Sequence, residues 1–265
     1  MLDQVLALAG PWLPPIVANK LRILRRGHNF AWQGIYQHRR EVPVQSAYDH
    51  PSRVRGMLKE AHAMRAAYAS AQPPHSEHDQ LGILATSLVA RHGRVRVLDV
   101  GGGLGTAYTY LESSITGSAS IEHHVVELED VCAAGRVFFA SNPSVHYHSA
   151  LPSIHGQVDI VYANSVLPYL DEYADTLRRL ADLRAPYLLL ARLAAGHIPT
   201  YASEQHNMPG PPMAYWFHNL DEIVRIVSEA GYALVFDGYA CREDQRNFPL
   251  SHRIDHFRNL LFVLR

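Results

Sequence analysis

Val95-Arg96-Val97-Leu98-Asp99-Val100-Gly101-Gly102-Gly103-Leu104-Gly105 runs from an apolar strand into three consecutive glycines, with another two residues on. Such a run keeps side chains away from the turn, because glycine accepts positive φ and lets the backbone approach a ligand closely. The helix predicted from Thr106 to about Ser113 turns its unpaired N–H groups toward the same place. Strand, bare turn and helix in that order predict a nucleotide-type ligand.

Working outward, strands and helices alternate. Strands are predicted over His123–Leu128, Val145–His148, Val158–Ala163 and Tyr187–Arg192, with helices over Asp130–Ala140 and Asp171–Leu183. Alternation of this kind implies a parallel sheet with ligands at the carboxyl ends of its strands. Asn219 caps a helix over Leu220–Ala230, which Gly231 stops. Strands at Tyr232–Asp237 and Asn259–Leu264 follow, joined by a polar loop, and are most simply antiparallel. The fold class expected is α/β: the Rossmann-like class I methyltransferase arrangement, a seven-stranded mostly parallel sheet with an antiparallel C-terminal strand. Upstream, residues 1–75 read as a helical or irregular extension and 76–265 as the Rossmann-like domain. Pro51 starts a helix to Ala69, Gln72-Pro73-Pro74 breaks it, and Ser76 caps the next, with Leu81, Leu84, Ala85 and Leu88 as its buried stripe.

Spacing selects among nucleotides. The dinucleotide fingerprint needs a glycine at position 106, which is threonine, and a pyrophosphate would be repelled by Asp99. The acidic-x-Gly-x-Gly-x-Gly order instead suits S-adenosyl-L-methionine, with Asp99 facing its cationic amino acid end and Gly101, Gly102, Gly103, Leu104 and Gly105 forming the cradle. Glu127, ending the second strand, can accept hydrogen bonds from both ribose hydroxyls; the alternative is a solvated charge favoured by the following helix N-terminus. Leu128 would flank the adenine, Ser149 and Ala150 would reach its edge, and Asn164 and Ser165 lie where cofactor and acceptor should meet. S-adenosyl-L-homocysteine is then the product.

Beyond these residues, the chain resembles a methyltransferase family found in bacterial gene clusters for surface polysaccharide and related secondary products. The likeness is carried by Leu13-Pro14-Pro15, Trp32-Gln33-Gly34-Ile35-Tyr36, the Val97–Gly105 stretch and Asn164-Ser165-Val166-Leu167-Pro168-Tyr169-Leu170. Arg192, Thr200, Gln205 and Tyr215-Trp216-Phe217 continue it. It implies methyl transfer more firmly than any acceptor, and Met213-Ala214-Tyr215-Trp216 departs from the family's serine-tyrosine-proline pattern.

Methyl transfer is an in-line displacement, so a nucleophile must be held and, for a hydroxyl acceptor, deprotonated. O-methylation of a small molecule or sugar is the expectation. His206 and His197, in a long loop expected after Tyr187–Arg192, are the candidate bases, with His218 close behind. Arg192 could grip an anionic acceptor and Gln205 orient it, while Tyr215, Trp216 and Tyr36 supply walls. The Pro209–Pro212 run would stiffen a lid. Trp32, Tyr36 and Tyr48 either cover the cofactor or anchor the extension.

Bulk properties narrow the classes. With 24 Lys and Arg against 25 Asp and Glu, the 265-residue chain has no broad electrostatic footprint for nucleic acid. Cys132 and Cys241 are too few for a disulfide framework, so a cytoplasmic location is expected. The seventeen histidines show no metal-ligand spacing; of the closest neighbours, His123-His124, His146/His148 and His252/His256, none has an evident set of partners, and no metal is expected. No apolar run approaches the ~20 residues of a membrane span. Ile16–Arg26 reads as a helix docked on the domain or on a second copy of the chain, as a homodimer, in preference to weak contact with an anionic membrane surface. The rival functions are an NAD(P)-dependent oxidoreductase, disfavoured by Thr106 and by the absence of a Tyr-x-x-x-Lys pair, and a catalytically silent methyltransferase-like binding subunit.

Overall fold

The computed structural model describes residues 30–44, 51–70, 77–116, 120–154, 157–207 and 211–265. The segments Leu2–Ala9 and Ile16–Arg26, Tyr48, the Gln72-Pro73-Pro74 break, the cap Ser76, Gly156 and the first half of the Pro209–Pro212 run lie outside the described residues. Among those described, no helix is long and apolar enough to cross a membrane.

The elements are β1 (Trp32–Tyr36), α1 (Pro51–Ala69), α2 (Asp79–His92), β2 (Arg94–Val100), α3 (Thr106–Ser114), β3 (Ser120–Val126) and α4 (Glu129–Phe138). They continue as β4 (Val145–His148), β5 (Ile160–Asn164), α5 (Tyr173–Asp182), β6 (Tyr187–Leu193), β7 (Ala195–Gly196), β8 (Tyr201–Gln205) and β9 (Met213–Asn219). The chain closes with α6 (Leu220–Glu229), β10 (Tyr232–Arg242) and β11 (His256–Leu264).

Seven strands form the main sheet in the order β10-β11-β6-β5-β2-β3-β4. From β6 to β4 every pairing is parallel, and β11 runs antiparallel to both β6 and β10. This is the Rossmann-like methyltransferase sheet expected. Alternation along the central strands divides the apolar residues between two layers, since successive side chains leave opposite faces. Leu98, Val161 and Leu188 pack with Leu177 and Leu180 of α5 and Ile223 of α6. Val97, Ile160 and Leu189 pack with Leu81, Ala85 and Leu88 of α2 and with Leu111 of α3.

Two expectations need correction. The stretch after β6 is not a long loop, and the extension before α1 is not wholly helical or irregular. The segments join as a second sheet in the order β1-β8-β9-β7. Trp32 explains the pairing. Its ring lies 4.5 Å from that of Tyr215 and 5.1 Å from that of Phe217, and its indole N–H donates to Glu243 at 3.2 Å. An aromatic side chain of this size gains more when buried against other rings on a sheet face than when left exposed. Gly34, at φ 74°, sits in the irregularity between Gln33 and Tyr36 where the register shifts. β10 also ends later, and β11 begins earlier, than hydropathy suggests. Their outer portions carry Phe257 and, between the strands, Phe248 and Ile254, which close the core of the second sheet.

Trp32→Ala is expected to cost about 3–5 kcal/mol, read from urea unfolding. A loss under about 1 kcal/mol, the size of a surface change, would show that β1 is not integral to the fold.

Candidate active site

The glycine turn follows β2 at the carboxyl edge of the main sheet. Gly101 (φ 70°), Gly103 (φ 55°) and Gly105 (φ 69°) all have left-handed backbones. Space is limiting too. A Cβ on Gly101 would lie 2.4 Å from Val166 Cγ2, and one on Gly102 would lie 2.3 Å from Asp99 Oδ2. At Gly103 the nearest atom would be Met57 Cε at 3.9 Å, so this glycine faces open space beneath α1. Leu104 is buried against Ala61 of α1 and Val131 of α4.

Two carboxylates flank the turn, in different surroundings. Asp99 is buried under Gly102, with Oδ2 3.2 Å from His123 Nε2. Glu127 accepts from the Leu128 N–H at 2.9 Å and lies 3.9 Å from Arg53 of α1. Burial raises its carboxyl pKa, and the N–H groups of Leu128 and Gly103 together with Arg53 oppose that rise. Leu128 leaves an apolar side chain exposed beside it. Ser149 and Ala150 are exposed at the end of β4, Ser149 beside Glu129.

Next to the turn opens a cleft of about 750 Å³. Its walls come from α1 (Glu60, Met64), from the entry to α2 (Glu77, His78), from Thr106 and Arg192, and from Cys241 and Asn259 on the C-terminal strands. The end of β6 reaches it through Arg192. Ser165 (φ 57°) and Arg192 (φ 48°) both hold left-handed backbones, which cost non-glycine residues on the order of 1 kcal/mol or more and cluster at functional sites. Surrounding bonds maintain them: the Ser165 N–H donates to the Ala191 carbonyl at 2.9 Å, and the Arg192 N–H to Asn259 Oδ1 at 2.8 Å. Glu77 joins the edge from the other side, pairing with the Arg192 guanidinium and accepting from Asn164 Nδ2 at 3.2 Å.

The predicted acceptor residues are dispersed. Arg192 lines the cleft. Gln205 and Tyr215 are buried on the inner face of the second sheet, and Tyr215 is enclosed by Trp32, Tyr169 and Phe217. Trp216 lies on the opposite face with Val42 and Ala202. The Tyr36 hydroxyl donates to Glu204 at 2.7 Å. These four build the second sheet; among the described residues they do not line this cleft.

The candidate bases lie away from this cleft. His197 is exposed and bonds to Asp221 at 3.2 Å, at the start of α6. His206 bonds to Glu204 at 3.2 Å, sharing that carboxylate with Tyr36, and His218 is a core residue whose pKa burial pushes down to about 3. None of the three lines the cleft. His218 is a buried residue of β9, whereas His197 and His206 lie just outside strands and are held by Asp221 and Glu204.

The histidine that does line the cleft is His78, which sequence reasoning passed over. It is buried, with Nδ1 2.9 Å from the Tyr162 hydroxyl and Nε2 3.3 Å from Thr106 Oγ1. Burial lowers its pKa, more than nearby Asp99 raises it. The one sequence signal was the polar run Glu77-His78-Asp79 at the start of an apolar helix.

No family model and no curated protein matches this sequence. Solved structures that superpose on it include the CcbJ methyltransferase from Streptomyces caelestis, at 17% identity over 72% of this chain and 97% of the other, with a TM-score of 0.46. The 1,6-didemethyltoxoflavin-N1-methyltransferase of Burkholderia thailandensis, solved with 1,6-didemethyltoxoflavin and S-adenosylhomocysteine, gives 15% identity over 84% and 93%, with 0.48. Magnesium protoporphyrin IX methyltransferase from Synechocystis, with bound S-adenosylhomocysteine, gives 17% over 71% and 84%, with 0.45.

Gly102→Ala forces a methyl group against the Asp99 carboxylate and is expected to destabilise by about 1–3 kcal/mol. Gly103→Ala meets open space and should cost only its left-handed strain, roughly 1–2 kcal/mol. Urea unfolding of both would contradict the packing described if Gly103→Ala proved clearly the worse.

Proposed function

We propose that this protein is an S-adenosyl-L-methionine-dependent methyltransferase acting on a small-molecule or sugar acceptor held in the cleft beside the glycine turn. The observation that carries the reading is the turn itself: a backbone cleared of side chains at the carboxyl end of β2, with Asp99 behind it and Glu127 beside it. The cradle fits such a donor. Gly103 faces open space, Glu127 is a buried acceptor suited to a ribose diol, and exposed Leu128 offers an apolar flank for the adenine. Asp99 acts through the turn, since its carboxylate is buried under Gly102 and bonded to His123, and so favours a cationic amino acid group by field or through a water. Asn164, at the end of β5, donates to Glu77 of the cleft wall, and Ser165 follows it.

When bound, the donor supplies an electrophilic methyl group on a sulfonium sulfur. The chain's own residues hold the acceptor and manage its proton. Arg192 and Glu77 set opposite charges on one side of the cleft. Their ion pair is part-exposed, so an acidic acceptor can compete for the guanidinium. We assign to His78, in place of His206 and His197, the acceptance of a hydroxyl proton relayed through the Thr106 hydroxyl, which lines the cleft and contacts Nε2. Its lowered pKa keeps the imidazole neutral near pH 7, and Thr106 holds Nε2 toward the turn. The neutral base is available above its folded pKa and is lost as pH falls through it.

Calorimetry with S-adenosylmethionine, S-adenosylhomocysteine and NAD tests the reading. Both sulfur nucleosides should bind and NAD should not, and Glu127→Ala should weaken the homocysteine product at least tenfold, about 1.4 kcal/mol. Once a screen for a methyl mass gain has found an acceptor, His78→Gln should lose turnover while keeping product affinity. Tight NAD binding, or affinity for the product indifferent to Glu127→Ala, would refute the site.

A further inference from the structure

The β4 edge of the main sheet carries a cluster that the cofactor site does not use. β3 and β4 pair in parallel with His124 opposite His146 and Val126 opposite His148. The strand period of two puts Glu122 and His124 on one face of β3, and the register lays His146 and His148 beside them. This is the face that α5 and α6 cover farther along the sheet. At β4 the described residues of the connection to β5 form no helix, and Glu122 and His146 remain part-exposed.

We propose that Glu122, His124 and His146 form a binding site for a borderline divalent transition ion of the zinc type, clamping the edge strand β4 to β3. The potential ligand atoms, one from each residue, all lie within 4.8 Å of one another. His124 Nε2 is 3.2 Å from Glu122 Oε1, and His146 Nε2 is 4.0 Å from the same oxygen. Ligands around tetrahedral zinc, each about 2.0–2.2 Å from the metal, stand roughly 3.3 Å apart, so small side-chain rotations close the cluster. Two imidazoles and one carboxylate leave a fourth position to water, and this donor set selects zinc-like ions over calcium or magnesium, which prefer oxygen alone.

The surroundings are built as outer partners of such a site. Metal-bound histidines hand their second ring N–H to a neighbour that fixes tautomer and orientation. Here His124 Nδ1 lies 3.0 Å from His148 Nε2, and the rings are stacked with centroids 5.2 Å apart. On the carboxylate, the second oxygen, Oε2, is held by Arg96 Nε at 2.9 Å, which leaves Oε1 for the ion. The His124 and His146 rings stack at 4.8 Å and present adjacent edges. β4 has four residues and, among the described residues, no neighbour on its outer side in the main sheet. A metal bond to β3 reinforces a strand held by few hydrogen bonds. The inference is independent of methyl transfer, because it concerns metal uptake and strand stability alone.

Full-length protein stripped with chelator and titrated with zinc chloride should take up one tight equivalent, with a rise in melting temperature. His124→Gln combined with His146→Gln should abolish it, and His148→Ala should weaken it about tenfold through loss of the outer hydrogen bond. Should the double variant be unfolded by circular dichroism, His146→Gln alone decides, and must weaken zinc at least tenfold. Cobalt(II) in the wild-type protein should show the intense visible bands of a four-coordinate ion. A pale six-coordinate cobalt spectrum, or a tight zinc equivalent retained when these histidines are replaced, overturns the proposal.

Discussion

The molecule depends on side-chain exclusion at the turn that ends β2. Val166 and the Asp99 carboxylate occupy the space that Cβ atoms on Gly101 and Gly102 would need, and Asp99 is in turn held by buried His123. Burying a carboxylate is costly unless it is hydrogen-bonded, so the glycines, Asp99 and His123 form one unit that spans the first two parallel strands. That unit sets where β2 stops, how α3 starts and how close a ligand can come to the backbone. The strained ends of β5 and β6 extend the same edge, and Asn259 and Glu77 hold them from opposite sides.

The second sheet is the architectural addition. It joins a strand from the N-terminal region to the segment after β6, so chain regions far apart in sequence meet in one sheet. Its inner face is a cluster of aromatic rings around Trp32, packed on the outer reaches of β10 and β11. Helix α1 lies over the glycine turn through Met57, Leu58 and Ala61 and brings Arg53 near Glu127. Roof and cleft wall therefore come from the same helix, and a change in its position would alter the space over the turn and the cleft together.

The main sheet was legible because its signals are local. Each central strand is a short apolar run, each helix shows its stripe, and α1 spans the residues its Pro51 start and its periodicity predict. The second sheet was not. Trp32-Gln33-Gly34-Ile35-Tyr36 is too short and too irregular, with its bulge at Gly34, to announce a strand. Glu204, His206 and Tyr36 look like loop chemistry until their strands are paired. The candidate site divides in the same way: the turn and Glu127 stand out by spacing, whereas Glu77 and His78 reach the cleft only through the packing of α2.

The sequence by itself determined the parallel sheet, the bare turn and the flanking carboxylates, since hydrophobic periodicity and glycine's conformational freedom act over a few neighbouring residues. Only the tertiary structure decided which histidines face the cleft, which aromatic residues are core, and that Glu122, His124 and His146 meet on one sheet face. Those outcomes depend on strand register, and register is set by partners distant in the chain: a shift of one residue would send every one of these side chains to the opposite face.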